Sequence, residues 1–221
     1  MELSREKLAK MIDHTQIRPN VERQQIINLC NEAEKYGFYA VSIPPIYVPL
    51  AVECLKGSTV KVGAVVGFPS GYSYPEAKIV ETALAVGQGA AEIDMVMNVA
   101  ALKSKDHALV RRDIEGVVMA ARGAAVKVII ETCLLTYEEK IGVCKIIADA
   151  GANFVKTSTG LAGGGATVED VRLLRQHSPR GVQVKAAGGI RDAKTAFAMI
   201  KAGATRIGTS TGPEIMESLA E

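Results

Sequence analysis

One pattern recurs along the chain: an amphipathic stretch ends at a glycine, and a short apolar run rich in β-branched residues follows within a few positions. Gly37-Phe38-Tyr39-Ala40-Val41, Gly89-Ala90-Ala91-Glu92-Ile93, Gly123-Ala124-Ala125-Val126, Gly151-Ala152-Asn153-Phe154-Val155 and Gly203-Ala204-Thr205-Arg206-Ile207 all carry it. Glycine enters the left-handed conformation that closes a helix C-terminus without a Cβ penalty, and the small residue behind it lets the chain turn at once into a strand. Each segment therefore predicts a helix-to-strand junction.

With the less marked runs added, eight candidate strands begin near Ile12, Ala40, Val62, Ala91, Val126, Asn153, Val182 and Thr205, at intervals of 22 to 35 residues. Such an interval holds one strand, one helix and two short loops, and strands alternating with helices build a parallel sheet. Helix starts agree with this register. Thr136-Tyr137-Glu138-Glu139 and Thr167-Val168-Glu169-Asp170 place a hydroxyl cap three residues ahead of a carboxylate, and Pro75 suits a first helical turn. Eight units in 221 residues predict one α/β domain over residues 1–221, closed as a (β/α)8 (TIM) barrel. The alternative is a doubly wound open sheet, which normally uses fewer strands. No linker or low-complexity stretch divides the chain.

Composition narrows the function. With 48% hydrophobic and 23% charged residues the chain has the usage of a packed globular protein rather than a disordered one. A net charge of +2 and 5% aromatics without tryptophan supply neither the field nor the stacking platforms of a nucleic-acid binder. Cys30, Cys54, Cys133 and Cys144 show no CxxC spacing and read as free thiols in a reducing compartment. Residues 1–10 lack the apolar run of a signal peptide, and no stretch approaches the roughly 18 apolar residues of a spanning helix, so a cytoplasmic protein without a membrane role is expected.

In a barrel the strand C-termini and the loops behind them build the active site. Lys156 and Lys185 each end an apolar strand on neighbouring units and are followed by small or hydroxyl residues. Either lysine alone reads as a solvated strand end. Together they should converge on the mouth, where desolvation and like-charge repulsion lower a lysine pKa enough for an amine to attack a carbonyl. These features do not choose between the two as nucleophile. Asp94 interrupts an apolar fourth strand at the corresponding height, suited to moving protons or simply to pairing with a lysine. Lys127 and Glu131 share one face of the fifth strand by period-two counting and are expected to form a structural ion pair.

After the seventh strand comes Gly188-Gly189-Ile190-Arg191, and after the eighth Gly208-Thr209-Ser210-Thr211-Gly212. Exposed backbone N–H groups at a helix start, with hydroxyls and one arginine, suit a phosphate dianion. Thr157-Ser158-Thr159-Gly160 would add donors, and Gly163-Gly164-Gly165 a mobile rim. His14, His107 and His177 are scattered and form no metal-binding motif, so no metal is expected; for His14 a local structural hydrogen bond is expected ahead of the alternative, a contact with substrate. No GxGxxG follows a strand, so no dinucleotide cofactor is expected either.

Several segments, in order along nearly the whole chain, resemble those of the deoxyribose-phosphate aldolase family: Asp13-His14-Thr15, Gly67-Phe68-Pro69 with Gly71, Glu92-Ile93-Asp94, Lys127-Val128-Ile129-Ile130-Glu131-Thr132, Lys156-Thr157-Ser158-Thr159-Gly160 and Lys185-Ala186-Ala187-Gly188-Gly189-Ile190-Arg191. The resemblance implies a cofactor-free, metal-free class I aldolase that reversibly cleaves 2-deoxy-D-ribose 5-phosphate to D-glyceraldehyde 3-phosphate and acetaldehyde. It makes Lys156 the Schiff-base nucleophile, Lys185 the second lysine that lowers its pKa, and Asp94 part of the proton relay. It places the phosphate at Gly160, Gly188, Gly189, Arg191, Gly208, Ser210 and Thr211. The partners it implies are small phosphosugar and aldehyde substrates and further copies of the chain in a homo-oligomer, with no nucleic acid and no membrane. Another phosphosugar aldolase or an isomerase on the same barrel is the alternative. Three departures stand out: Ser42 where many members carry cysteine, Leu161 where some place a lysine near the phosphate, and an end at Ser218-Leu219-Ala220-Glu221 where longer members continue to a tyrosine.

Overall fold

The structure, a computed structural model, describes residues 4–219; residues 1–3 of the N-terminal stretch and residues 220–221 of the C-terminal end lie outside the described residues. Eight strands, β1 (Ile12–Thr15), β2 (Ala40–Ile43), β3 (Lys61–Val66), β4 (Glu92–Val96), β5 (Ala125–Ile129), β6 (Phe154–Lys156), β7 (Gln183–Ala187) and β8 (Arg206–Thr209), alternate with helices. The helices are α1 (Arg5–Ala9), α2 (Arg23–Tyr36), α3 (Val48–Cys54), α4 (Pro75–Gly87), α5 (Val99–Lys103), α6 (His107–Ala120), α7 (Tyr137–Asp149), α8 (Val168–His177), α9 (Ala193–Ala202) and α10 (Gly212–Glu217). All eight strands pair in parallel in chain order, and β8 returns to β1 to close a (β/α)8 barrel. The open-sheet alternative is thereby excluded. Each strand starts within one residue of its expected position.

The junction glycines do what the pattern requires: Gly37, Gly89, Gly123, Gly151 and Gly203 all have positive φ. Thr136 caps α7 with its hydroxyl while Glu139 reaches back to the Thr136 N–H, a complete capping box. Thr167 accepts from the Asp170 N–H at the start of α8.

Because successive side chains on a strand face opposite ways, each strand serves two different interiors. One set, including Ile12, Val41, Ile93, Val128, Val155, Val184 and Ile207, points outward into a continuous hydrophobic cluster with the inner helix faces. In α2 that face is Ile26, Leu29, Cys30 and Ala33, the i, i+3, i+4, i+7 stripe. Each large aliphatic side chain buried here contributes about 1.5–3 kcal/mol. The alternate set points into the barrel and is unlike the branched apolar layers common in such folds. It holds Asp13, Glu92, Asp94, Lys127, Lys156, Lys185 and Arg206, all buried.

One buried ion pair outside the barrel steadies its β4 wall. Lys78 of α4 donates to Asp113 Oδ2 of α6 (2.6 Å) and to the carbonyl of Val96 at the end of β4 (2.9 Å), and both side chains are fully buried. Removing one partner of such a pair leaves an uncompensated charge, so Lys78→Met should cost about 3–5 kcal/mol. Urea denaturation reads the loss. Adding Asp113→Leu should restore much of it, whereas a single variant as stable as the parent would show that the pair holds nothing in place.

Candidate active site

Strand register brings the charged side chains together inside the barrel. Lys156 pairs with Lys185 across β6 and β7, Asp94 with Lys127 across β4 and β5, and Lys185 with Arg206 across β7 and β8. Asp94 is the hub. Its Oδ2 accepts from Lys156 Nζ and Lys185 Nζ, both at 2.7 Å, and its Oδ1 from Lys127 Nζ at 2.8 Å. Lys185 Nζ also donates to Asp13 Oδ2 at 2.5 Å, and Lys127 Nζ to Glu92 Oε2 at 2.6 Å. Arg206 closes the network with Nη1 on Asp13 Oδ1 (2.8 Å) and Glu92 Oε2 (3.0 Å), its guanidinium lying over the Tyr39 ring at 3.6 Å. Lys127 reaches to 3.5 Å from Asp13 on the non-adjacent β1, a contact possible only through the barrel interior.

The two lysines that the sequence left equivalent are not equivalent here. Lys185 lies between two carboxylates, whereas Lys156 touches one. Burial drives the Lys156 pKa down, Asp94 opposes, and Lys185 and Lys127 push further down, leaving it at about 8. Burial alone would raise Asp94, but Lys127, Lys156 and Lys185 together hold it well below the usual carboxylate range. Asp13 is held low in the same way by Lys185, Lys127 and Arg206. Burial would lower Lys127, but Asp94, Asp13 and Glu92 raise it. With three acids against four bases, full ionisation would leave one uncompensated positive charge, and Lys156 is the base of this network whose pKa is lowered, while those of Lys127 and Arg206 are raised.

A cavity of about 180 Å³ opens above this network at the C-terminal end of the strands. Lys156 lines it and Lys185 does not. Of the residues expected to bind phosphate, Gly160, Gly188, Gly189, Arg191, Gly208 and Ser210 line it too. Thr211 does not; its N–H and hydroxyl turn back onto Thr209 Oγ1. Gly188 has φ +94°, and a Cβ on Gly165 would lie 2.5 Å from the Gly188 carbonyl oxygen, so these two backbones pack in contact. The Ala166 N–H donates to that same carbonyl at 3.0 Å. The residue 163–165 segment expected as a mobile rim is therefore pinned to the β7 loop at its far end. Gly208 serves the network from the opposite side: a Cβ there would meet Lys185 Cε at 3.1 Å.

The expected Lys127–Glu131 ion pair does not form. The strand ends at Ile129 and Glu131 adopts a left-handed conformation (φ 53°), so period-two counting no longer governs where it points. Its carboxylate accepts from the Thr159 N–H and hydroxyl instead, while Lys127 turns to Asp94 and Glu92. His14 makes the expected structural bond, Nε2 to Glu32 Oε2 at 2.7 Å. Asp13, Glu92, Lys127 and Arg206 were not anticipated as one site. Their signal was present as charged residues alternating with apolar ones in strands whose two faces should both be buried. Among the described residues no group of three or more His, Cys, Asp or Glu side chains is arranged for a metal ion, and no helix is long and apolar enough to cross a membrane.

A family model described as DeoC/LacD family aldolase matches residues 7–218. The chain belongs to this aldolase family. The deoxyribose-phosphate aldolase of Geobacillus sp. (strain WCH70) is 54% identical over 211 residues, 95% of each chain. That of Thermococcus gammatolerans is 55% identical over 214 residues, again 95% of each. The solved structure of the Aeropyrum pernix deoxyribose phosphate aldolase, described as a unique tetramer, superposes with a TM-score of 0.93 at 35% identity, covering 99% of this chain and 93% of that one. The barrel is thus an enzyme, a carbon–carbon lyase of the aldolase type.

The pKa of Lys156 makes the network a cost to folding. Its folded value, about 8, lies below that of a free lysine, so the folded state resists its proton. The penalty is full below pH 8, shrinks as pH rises toward the free-lysine value of about 10.4, and then vanishes. Lys156→Met should therefore stabilise the aldolase by about 1–3 kcal/mol at pH 7. Melting curves at pH 7 and pH 10 test this: a variant less stable at pH 7, or a gap that does not narrow at pH 10, would refute the charge balance.

Proposed function

We propose that the chain cleaves 2-deoxy-D-ribose 5-phosphate reversibly to D-glyceraldehyde 3-phosphate and acetaldehyde through a Schiff base on Lys156. The observation that carries this is the asymmetry of the two lysines: one amine, at about 8, forms the floor of the cavity, while the other is clamped beneath it between Asp13 and Asp94.

The neutral Lys156 amine attacks the C1 aldehyde, and the carbinolamine loses water to give an iminium. Removal of the proton on the C3 hydroxyl then lets the C2–C3 bond break, its electrons passing into the iminium to form an enamine. D-Glyceraldehyde 3-phosphate leaves. Protonation of the enamine at C2 regenerates an iminium, and water releases acetaldehyde and the free amine. Asp94 hydrogen-bonds both lysines at 2.7 Å and forms the relay between them. Held well below the usual carboxylate range, it passes a proton on rather than keeping it. Burial lowers the Lys156 pKa and the neighbouring Lys185 lowers it further, which favours the neutral amine.

The phosphate sits over Gly188, Gly189, Gly160, Gly208 and Ser210 with Arg191 beside it. Binding there positions the reacting carbons, so an unphosphorylated sugar is turned over far more slowly. The four unpaired thiols suit a cytoplasmic setting, and the tetramer described for the Aeropyrum pernix relative supports a homo-oligomer here.

Borohydride reduction in the presence of 2-deoxyribose 5-phosphate or acetaldehyde, followed by peptide mass mapping, should place one reduced adduct on Lys156, and Lys156→Met should abolish both adduct and turnover. An adduct on Lys185 would reverse the lysine roles. Turnover without any adduct, as in an isomerase, would defeat the covalent reading, and loss of turnover in chelator would point to a metal-dependent aldolase instead.

A further inference from the structure

Closure gives the anion-binding end of the cavity a wall that the linear order of segments hides. β1 pairs with β8, Asp13 opposite Gly208 and His14 opposite Thr209, so the loop after the first strand is the neighbour of the loop carrying Ser210. That loop, residues 16–21, is tied at both ends. The Gln16 N–H donates to the Ser42 carbonyl at 3.0 Å, and Tyr47 Oη donates to the Val21 carbonyl, also at 3.0 Å. Between these ties the Val21 N–H closes a turn on the Arg18 carbonyl at 3.1 Å. Arg18 lines the cavity from this wall, as Arg191 does from the wall made by the β7 loop.

Three features give Arg18 work to do. Among the described residues no Asp or Glu lines the cavity and no carboxylate forms an ion pair with Arg18. The wall made by the β6 loop contributes Leu161 and no cation beyond Lys156, which is engaged with Asp94 below. A phosphomonoester carries close to two negative charges at neutral pH, whereas Arg191 supplies one positive charge. A guanidinium free of internal partners, held on an anchored loop beside the glycine-rich nest, supplies the second.

We propose that Arg18 is the second cation of the phosphate site and a determinant of the preference for phosphorylated over unphosphorylated sugars. The inference rests on the phosphate location proposed above. Its planar fork of N–H donors can grip two phosphate oxygens at once, which a lysine ammonium cannot reproduce.

The test compares the parent enzyme with Arg18→Ala, Arg18→Lys and Arg191→Ala, using 2-deoxyribose 5-phosphate, 2-deoxyribose and inorganic phosphate. In Arg18→Ala the ratio of kcat/KM for the phosphorylated sugar to that for the unphosphorylated one should fall about tenfold, through KM more than kcat, a loss typical of one charge-assisted contact. Inorganic phosphate titrated by calorimetry should bind about tenfold more weakly, and Arg18→Lys should recover part of both losses. Calorimetry reads the contact without turnover, so it stands apart from the identity of the sugar. An Arg18→Ala enzyme with parental ratio and phosphate affinity overturns the inference. If Arg191→Ala lowers both at the same time, the phosphate site itself stands without Arg18; if it too is parental, the phosphate location fails as well. Equal losses on the two sugars would mark Arg18 as a structural residue of the loop and equally overturn the proposal.

Discussion

The structure depends on keeping seven ionisable side chains out of water inside a barrel eight strands around. Desolvating an ion costs several kcal/mol even after relaxation, so each charge must meet opposite charge at hydrogen-bond distance or lose its proton. Asp13, Glu92 and Asp94 supply three negative charges to Lys127, Lys185 and Arg206, so the fourth base, although hydrogen-bonded to Asp94, has no counter-charge of its own. Lys156 is that base, and its lowered pKa follows from burial and from the count of charges rather than from any single contact. An amine whose proton is loosened in this way is bound to the integrity of the whole network.

Such an interior contributes little net stability, and the fold compensates elsewhere. The outward faces of the same strands form, with the helices, the hydrophobic sleeve that holds the molecule together. Strand alternation thus separates two tasks residue by residue: Val155 packs outward while Lys156 reaches inward, and Ile93 is flanked by Glu92 and Asp94. The sleeve fixes strand positions and the register fixes which charges meet. A shift of one residue in β6 would exchange Val155 with Lys156, burying an ammonium in the sleeve, so register and chemistry are under the same constraint.

Above the network, backbone replaces side chains. Gly165 and Gly188 are small because their main chains touch, and Gly189, which lines the cavity, has open space where a Cβ would stand. This end of the cavity is built from loops that meet only through tertiary structure, those after β6, β7, β8 and, by closure, β1. Arg18 and Arg191, distant in sequence, face one volume for that reason.

Much of this was legible in the sequence. The glycine-ended helices and the strand starts follow from local backbone chemistry, which needs no distant partner, and the spacing of eight such units limits the architecture to a barrel or an open sheet. Lys156, Lys185 and Asp94 were recognisable because strand-end charges in apolar runs are costly unless used. Other features depended on residues far apart in the chain. Only register across six strands shows that Asp94 holds three lysines, that Asp13 and Glu92 balance the remainder, and that Lys185 has two counterions where Lys156 has one. Glu131 was misread because period-two counting assumes a strand that had already ended; Thr211 lies outside the cavity lining because its N–H and hydroxyl turn to the Thr209 hydroxyl. The sequence by itself determined the elements and the candidate residue types, since those are properties of neighbouring positions; the tertiary structure decided which amine has its pKa lowered and which loops share one cavity, since electrostatic balance depends on distances in space.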